Sequence, residues 1–294
     1  MKNIFIGTAG WSYPDWAGAV YPLQRPRGFS ELSYLAQYLD AVEINMSFYR
    51  PPRPAMAEKW LRQVAKKPGF LFTAKLWERF THERDKPWTA AEVGEFKAGL
   101  EPLAEAGRLG ALLLQFPWSF RADPASHDWL SRLADEFREF PKVVEVRHAS
   151  WDSEESWEFL RSRGLNFCNI DQPRVGASLG MTNVATGPIA YYRFHGRNRE
   201  AWFAKDAGRD ERYNYLYSTA ELAPWVEDIL FMAQRVEKLF VMNNNHYRGQ
   251  AVVNALQMKS SLARRKVPAP AELLEHYPVL KEVAATPKGA SGLF

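Results

Sequence analysis

The stretch Lys142-Val-Val-Glu-Val-Arg-His-Ala-Ser-Trp151 combines a β-branched apolar run with charged residues. In an extended strand successive side chains point to opposite faces, so Val144 and Val146 face one way while Glu145 and Arg147 face the other. Charges within such a run are costly to bury unless they are paired. The stretch therefore indicates a buried strand whose C-terminal end carries polar chemistry.

Further apolar runs of strand length accompany this one, and helical patterns separate most of them. Asp123-Pro124 reads as an N-cap followed by proline at the first helical position, and Ser218-Thr-Ala-Glu221 is a capping box. Near-continuous apolar runs are typical of parallel strands covered on both faces. The strands are expected at residues 3–9, 41–46, 69–75, 109–116, 142–147, 166–171, 189–195 and 238–244.

Eight strands that alternate with helices predict an α/β protein, a (β/α)8 TIM barrel. An open doubly wound sheet is the runner-up, but no Gly-x-Gly-x-x-Gly or P-loop follows the first strand, which disfavours its nucleotide-binding version. Residues 172–188 are rich in glycine and predict a helix-poor link after strand six. Without a composition break or an internal repeat, we expect one barrel domain, residues 1–266, and a C-terminal extension, residues 267–294, that is partly disordered.

The composition fits an ordinary globular protein, with 46% hydrophobic and 24% charged residues among 294. The net charge of +4 and the pI of about 9.0 permit an anionic partner without requiring one. Cys168 is the single cysteine, so no intrachain disulfide or cysteine metal cluster is available. No apolar run reaches membrane-spanning length and no signal peptide is evident at the N-terminus. We therefore expect a cytoplasmic protein without a membrane partner.

Polar side chains recur at the C-terminal ends of seven predicted strands, which is where TIM barrels carry their sites. The alternation within each strand predicts that these side chains point into the barrel. They are Glu43 and Asn45, Lys75, Gln115, Glu145 and Arg147, Asn169 and Asp171, Arg193 and His195, and Asn244. The same alternation turns Cys168 outward. Any one of them has a structural explanation as an ion-pair partner, but their recurrence in one ring predicts a functional site.

Roles in this site follow from residue type. The candidates for acid–base or covalent catalysis are Glu145, Glu43, His195, His148, Lys75 and Asp171. The candidates for substrate binding are Arg147, Arg193, Arg197, Asn45, Tyr49, Gln115, Trp11, Tyr13, Trp151, Tyr213, Asn244 and His246. The cations among them favour an anion, and the aromatics are suited to stacking on a sugar or a base, although each aromatic could equally pack a loop onto the rim.

Several chemistries stay open. No cofactor is predicted; a divalent metal held by carboxylates and histidines is an alternative, but no His-x-x-x-His or Glu-x-x-His pair supports it and nearby cations oppose it. Glu43 and Glu145 resemble a glycosidase carboxylate pair at unknown separation. Lys75 could form a Schiff base if its pKa were depressed, whereas an ion pair with Glu43 is its default role. No Gly-x-Ser-x-Gly elbow indicates a serine hydrolase.

Seven ordered motifs resemble the YecE-like family, known as domain of unknown function 72, from about residue 3 to residue 260. Two positions depart from the family pattern: Ala9 and Asn214 stand where serine and aspartate are expected, so no chemical role is carried over to them. The motifs are Gly7-Thr-Ala-Gly-Trp-Ser-Tyr-Pro-Asp-Trp16, Val42-Glu-Ile-Asn-Met-Ser-Phe-Tyr-Arg50, Leu114-Gln-Phe-Pro117, Val144-Glu-Val-Arg-His-Ala-Ser-Trp151, Arg193-Phe-His-Gly-Arg197, Arg212-Tyr-Asn-Tyr-Leu-Tyr-Ser218 and Asn244-Asn-His-Tyr-Arg-Gly249.

The resemblance implies a TIM barrel and no established reaction. The leading hypothesis is an enzyme that acts on a small anionic substrate, phosphorylated-sugar-like or nucleotide-like, by acid–base chemistry. A nucleic-acid-binding protein or metal-dependent phosphodiesterase is the alternative, suggested by the basic pI and by fold analogy to endonuclease barrels. A non-catalytic ligand sensor is the third hypothesis.

Overall fold

Every predicted strand is present, and the eight close into a barrel in sequence order. The computed structural model describes residues 3–200 and 208–287. All neighbouring strands are parallel, and β1 pairs with both β2 and β8, which completes the closure. The predicted TIM barrel is therefore confirmed. The strands are β1 (Ile4–Ala9), β2 (Ala41–Ile44), β3 (Leu71–Lys75), β4 (Leu109–Gln115), β5 (Lys142–Glu145), β6 (Leu165–Asp171), β7 (Ile189–Phe194) and β8 (Lys238–Asn243).

Helices cover the outside of the barrel, and their caps follow the sequence signals. The Asp123 carboxylate accepts a hydrogen bond from the backbone N–H of Ser126, and Ser218 and Glu221 form the reciprocal capping box. The helices are α1 (Glu31–Leu35), α2 (Pro54–Gln63), α3 (Glu78–Thr81), α4 (Ala90–Glu105), α5 (Pro124–Glu136), α6 (Glu154–Ser162), α7 (Arg209–Arg212), α8 (Thr219–Met232), α9 (Gln250–Ala263) and α10 (Ala271–His276). Residues 172–188 contain no helix, as predicted.

Aromatic side chains fill the lower part of the barrel interior. Phe240 stacks on Phe5 at 5.3 Å between ring centroids and lies 5.7 Å from the ring of Tyr191. The register between β3 and β4 shifts next to Gly110, where a Cβ atom would lie 2.4 Å from the Phe240 ring. Glycine is needed there because the ring occupies the space of a side chain. The interior is consequently a packed core below and polar only above.

Strand β6 corrects one prediction. Cys168 and Ile170 lie beside Tyr191 and Arg193, which point into the barrel, so they point inward as well. Asn169 and Asp171 point outward to the surrounding layer. The Asn169 amide bonds to the backbone of Val184 in the link, and Asp171 accepts from Trp225 Nε1 of α8 and from the Arg197 guanidinium. The inward placement expected for Asn169 and Asp171, and the outward one for Cys168, are wrong.

The C-terminal extension contains a small parallel pair, β9 (Val267–Pro268) with β10 (Ala284–Ala285), and both strands contact α9. Leu273 and Leu280 are fully buried. The last residues of the chain, 288–294, for which disorder is predicted, lie outside the described residues, and so does Trp202, an aromatic residue that the sequence predicts at the mouth of the barrel. No helix in the described part of the chain is both long and apolar enough to cross a lipid bilayer.

Candidate functional site

A cavity of about 440 Å³ opens at the C-terminal ends of the strands. The loop after β1, the turn after β2, helix α2, the C-terminal ends of β3, β4, β5, β7 and β8, and Tyr213 after α7 provide its walls and floor. Eleven predicted site residues line it, and these are Trp11, Tyr13, Asn45, Tyr49, Lys75, Gln115, Arg147, Arg193, Tyr213, Asn244 and His246. The ring inferred from strand alternation therefore converges on one cavity.

The floor of the cavity is an ion network that ties three strands together. Arg193 of β7 donates to Glu43 Oε1 of β2 and to Glu145 Oε2 of β5, each at 2.5 Å. Tyr191 donates its hydroxyl proton to the other oxygen of Glu43 at 2.8 Å. Glu43 and Glu145 are fully buried and Arg193 is 2% exposed. A buried charge that loses its partner is strongly destabilising, so each member of this network needs the others.

Glu145 is the most heavily hydrogen-bonded acid of the network. Its Oε1 accepts from Arg147 Nη2 at 2.9 Å and contacts His195 Nε2 at 3.1 Å, while Oε2 faces Arg193. Burial alone would raise the pKa of Glu145, but the charges of Arg193 and Arg147 and the hydrogen bond with His195 hold that pKa well below its usual range. This arrangement suits Glu145 to position the two arginines rather than to accept a proton from a substrate.

His195 is fully buried and neutral. Its Nδ1 lies 3.0 Å from the Asn244 side-chain nitrogen, which donates, so the ring proton is on Nε2 and points to Glu145. Burial lowers the pKa of His195 to about 3 despite the opposing charge of Glu145. Because both ring nitrogens are hydrogen-bonded, His195 holds Glu145 and Asn244 in position.

Lys75 at the end of β3 differs from its charged neighbours. Its Nζ lies 3.9 Å from the centroid of the Phe48 ring, and no carboxylate among the described residues lies within ion-pairing distance of it. The ion pair expected between Lys75 and Glu43 is not formed, because Glu43 is bound to Arg193 and Tyr191. Burial, reinforced by the charge of Arg193, lowers the pKa of Lys75 to about 7. Lys75 can therefore gain or lose a proton near neutral pH.

Aromatic rings form one wall of the cavity. The Tyr13 ring stacks on His246 at 4.5 Å and 7°, and its hydroxyl donates to the backbone carbonyl of Ala9 at 2.5 Å. Trp11 meets Trp60 edge to face at 5.7 Å. Tyr49 stands at the rim, 58% exposed. These rings offer flat apolar surface beside the cationic floor.

Seven predicted site residues do not line the cavity: Glu43, Glu145 and His195 belong to the ion network beneath it, and the other four lie away from both. Asp171 and Arg197 bind each other and border a second cavity of about 450 Å³ beside the link. His148 accepts from the backbone N–H of Ser150 and packs against Trp118 at 5.0 Å. Trp151 is fully buried and donates to the carbonyl of Phe120. Asp171 follows the outward register of β6, and the other three follow strand ends into loops that turn away from the axis.

Other residues of the cavity were not predicted. Met56 and Trp60 lie on α2, and their helical spacing is also that of a stripe that simply faces the core. The rest adjoin β1 and β2, and β1 is not among the seven strands whose alternation predicts inward polar side chains. The residues that sequence reasoning missed are Gly10, Ser12, Pro14, Met46, Met56 and Trp60.

The carboxylates and histidines weighed as alternative ligands of a divalent metal do not converge. Asp171 and His148 lie outside the cavity, and both oxygens of Glu43 and of Glu145 are already hydrogen-bonded. Within residues 3–200 and 208–287, no three His, Cys, Asp or Glu side chains are grouped to hold a metal ion.

Comparison with known proteins identifies the family. The model of the family described as protein of unknown function DUF72 matches residues 5–275. The chain belongs to the DUF72 family. The UPF0759 protein YunF of Bacillus subtilis (strain 168) is similar to this DUF72 protein, with 29% identity over 268 residues, which cover 87% of this chain and 93% of YunF.

Solved DUF72 structures share the barrel. A DUF72 family protein from Thermotoga maritima MSB8 is 36% identical, with a TM-score of 0.77, over 89% of this chain and 99% of that one. A DUF72 family protein from Enterococcus faecalis V583 is 26% identical, with a TM-score of 0.78, over 88% of this chain and 95% of the other. The resemblance seen in the sequence motifs is therefore confirmed for family and fold.

Proposed function

We propose that this protein is an enzyme that binds a small anionic substrate, such as a phosphorylated sugar or a nucleotide, at the mouth of the barrel and transfers a proton there. The uneven distribution of charge carries the proposal. Lys75 and Arg147 line the cavity, whereas Glu43 and Glu145 lie buried beneath it against Arg193. An entering ligand meets cations before carboxylates.

The balance of charge in the floor also favours an anion. Arg193 and Arg147 together offset the two carboxylates Glu43 and Glu145, so a protonated Lys75 adds one positive charge without a counter-ion among the described residues. A phosphate or carboxylate group of the substrate would supply that counter-ion. In a largely desolvated site, such a charge pair is stronger than it would be in water.

Lys75 is the proton carrier in this proposal, with Glu145 and His195 as the groups that hold the floor in place. A general acid or base works best when its pKa is close to the working pH, and the pKa of Lys75, about 7, meets that condition. The pKa of Glu145 is well below its usual range and that of His195 is about 3. Neither group changes its protonation state near neutral pH.

The aromatic wall would hold the uncharged part of the substrate. Trp11, Tyr13 and Tyr213 line the cavity, and Tyr49 reaches over its rim. Aromatic faces stack on sugars and bases through dispersion and burial of apolar area. Cavities that combine such walls with a few polar groups are typical of small-molecule sites.

A binding screen tests the proposal. Phosphorylated sugars, mononucleotides and a single-stranded oligonucleotide are added to the wild type, to Arg147→Met and to Arg138→Met, and the unfolding temperature is measured. Arg138 is exposed beyond the end of α5, on the opposite face of the barrel, so it is the matched control. We expect small anions to raise the unfolding temperature of the wild type and of Arg138→Met but not of Arg147→Met.

Turnover separates an enzyme from a ligand sensor. Compounds that bind are incubated with the wild type and with Lys75→Gln, and product is followed by NMR. Loss of a positioned acid or base typically slows a reaction by about 10²–10⁴-fold. We expect a loss of that size in the rate at saturating substrate, with weaker binding as well, because Lys75 also contributes charge to the anion site. Small anions that leave the wild type unaffected would overturn the proposal, and stabilisation by the oligonucleotide alone would favour nucleic-acid binding instead.

A further inference from the structure

We propose that Lys75 forms a Schiff base with its substrate, so that the substrate is a small aldehyde or ketone that also carries an anionic group. This inference rests on the proposed function, since it uses the same cavity and the same anion-binding cations. It adds a covalent step and names the reacting group of the substrate.

The first support is the position of the amine. Lys75 is the last residue of β3, and it lines the open cavity, where a ligand can reach it. Its Nζ rests over the face of the Phe48 ring at 3.9 Å. A lysine kept for charge balance is normally paired with a carboxylate, and the described part of the chain provides none for this one. The amine is placed for contact with a ligand.

The second support is the way the neighbouring carboxylates are occupied. Glu43 on β2 and Glu145 on β5 are the carboxylates nearest to the amine, but Arg193 donates a hydrogen bond to each of them. Because both carboxylates are bound to Arg193, neither forms an ion pair with the Lys75 amine or gives it a proton. The Arg193 guanidinium stays close to the amine. Lysines become nucleophilic in desolvated pockets and beside other cations.

Several charged or titratable groups face the amine from the surrounding elements, and they act in opposite directions. Burial and Arg193 lower the pKa of Lys75 to about 7, while the carboxylates raise it. The groups are Arg193 on β7, Glu43 on β2, Glu145 and Arg147 at the end of β5, and His82 after α3. At pH 7 roughly half of Lys75 is the free amine, against about one part in 2,500 for a lysine with the ordinary pKa near 10.4.

The covalent step needs no co-reactant. The lone pair of Nζ forms a bond to the carbonyl carbon, the electron pair of the C=O π bond moves to oxygen, and one proton passes from the nitrogen to that oxygen. The hydroxyl of the resulting carbinolamine takes up a second proton from solvent and leaves as water, while the nitrogen lone pair forms the C=N bond. The protonated imine then withdraws electrons from the neighbouring carbon, and hydrolysis by water returns the free amine. Arg147 would hold the anionic group during these steps.

Pyridoxal 5′-phosphate is the probe, because it is an aromatic aldehyde that carries a phosphate. The wild-type protein is incubated with the probe at pH 7, borohydride is added to reduce any imine to a stable amine, and the adducts are located by peptide mass spectrometry. Exposed Lys66, after α2, is the internal reference. We expect the adduct at residue 75 to form about tenfold or more faster than at residue 66, because more of the amine is unprotonated.

Two analogues and one variant separate the covalent step from anion binding. Pyridoxine 5′-phosphate has the phosphate without the aldehyde, and pyridoxal has the aldehyde without the phosphate. Lys75→Arg keeps the positive charge but cannot form an imine, so it should bind pyridoxine 5′-phosphate and show no adduct at residue 75.

Each outcome decides one question. If pyridoxine 5′-phosphate binds and Lys75 is labelled no faster than Lys66, the Schiff base is overturned and the anion site stands. If neither phosphate compound binds while pyridoxal labels Lys75 rapidly, the covalent step stands and the anion site of the proposed function fails. Rapid labelling of Lys75 by pyridoxal 5′-phosphate, blocked by pyridoxine 5′-phosphate, supports both. The peptide map of the wild type does not depend on the folding of any variant.

Discussion

At the scale of the residue, Lys75 lowers the stability of the fold that contains it. Its pKa of about 7 in the folded chain is below the ordinary value, so at pH 7 the unfolded chain holds a proton that the folded chain half releases. Lys75→Met keeps the apolar stem and removes the buried amine. We expect the free energy of unfolding to rise by about 1–3 kcal/mol at pH 7, after allowance for solvent at the cavity.

Urea denaturation of Lys75→Met beside Lys66→Met measures this effect. The gain should shrink as the pH rises from 7 to above 10, because the unfolded chain then loses the same proton. A Lys75→Met protein that is less stable than the wild type at pH 7 would mean that the amine contributes a stabilising contact. Functional residues that cost stability are common where a site needs a group that the fold does not.

His195 predicts how stability depends on acid. Its folded pKa of about 3 lies below the ordinary value of about 6.5, so the unfolded chain takes up a proton between these limits and the folded chain does not. The contribution of neutral His195 to the free energy of unfolding is complete above pH 6.5 and is lost as the pH falls towards 3. The slope reaches at most about 1.4 kcal/mol per pH unit. Denaturation at a series of pH values should give a flatter profile for His195→Gln; an unchanged slope would argue against a neutral, buried ring.

At the scale of the element, strand β6 carries a polar side chain that contributes to the stability of the fold and not to the cavity. Asp171 binds Arg197 and Trp225 outside the barrel. We expect Asp171→Asn to lower the free energy of unfolding by about 1–3 kcal/mol, because it weakens charge-assisted bonds in a buried place. Binding of anions in the cavity should be unchanged. A variant of normal stability that no longer binds them would restore Asp171 to the site.

The same strand marks the limit of sequence-based prediction. The order of strands and helices followed from apolar runs and caps, and the ring of polar residues was correct on β2, β3, β4, β5, β7 and β8. On β6 every position is buried, so the alternation of Cys168, Asn169, Ile170 and Asp171 shows a period without showing which phase points inward. The orientation of β6 depends on its partners Val184 and Trp225, which are distant in sequence and are not part of the local pattern. The same is true of Met56 and Trp60, whose place at the rim depends on how α2 meets the barrel.

At the scale of the whole molecule, the charge of the cavity depends on strands that are far apart along the chain. The hydrogen bonds from Arg193 join it to Glu43, 150 residues away, and to Glu145, 48 residues away. Such contacts form only when β2, β5 and β7 have all taken their places. In a partly assembled barrel Arg193 would be desolvated with only part of its counter-charge, which is costly.

This network therefore has a kinetic consequence. Contacts that form after the folding transition state affect the unfolding rate and leave the folding rate nearly unchanged. We expect Glu43→Gln to unfold faster than the wild type, while its refolding rate in dilute denaturant stays close to the wild-type value. Stopped-flow chevron plots measure both rates, and a refolding rate slowed in proportion to the lost stability would contradict the expectation. The ion network beneath the cavity would then set how long a closed barrel lasts without changing how quickly the barrel closes.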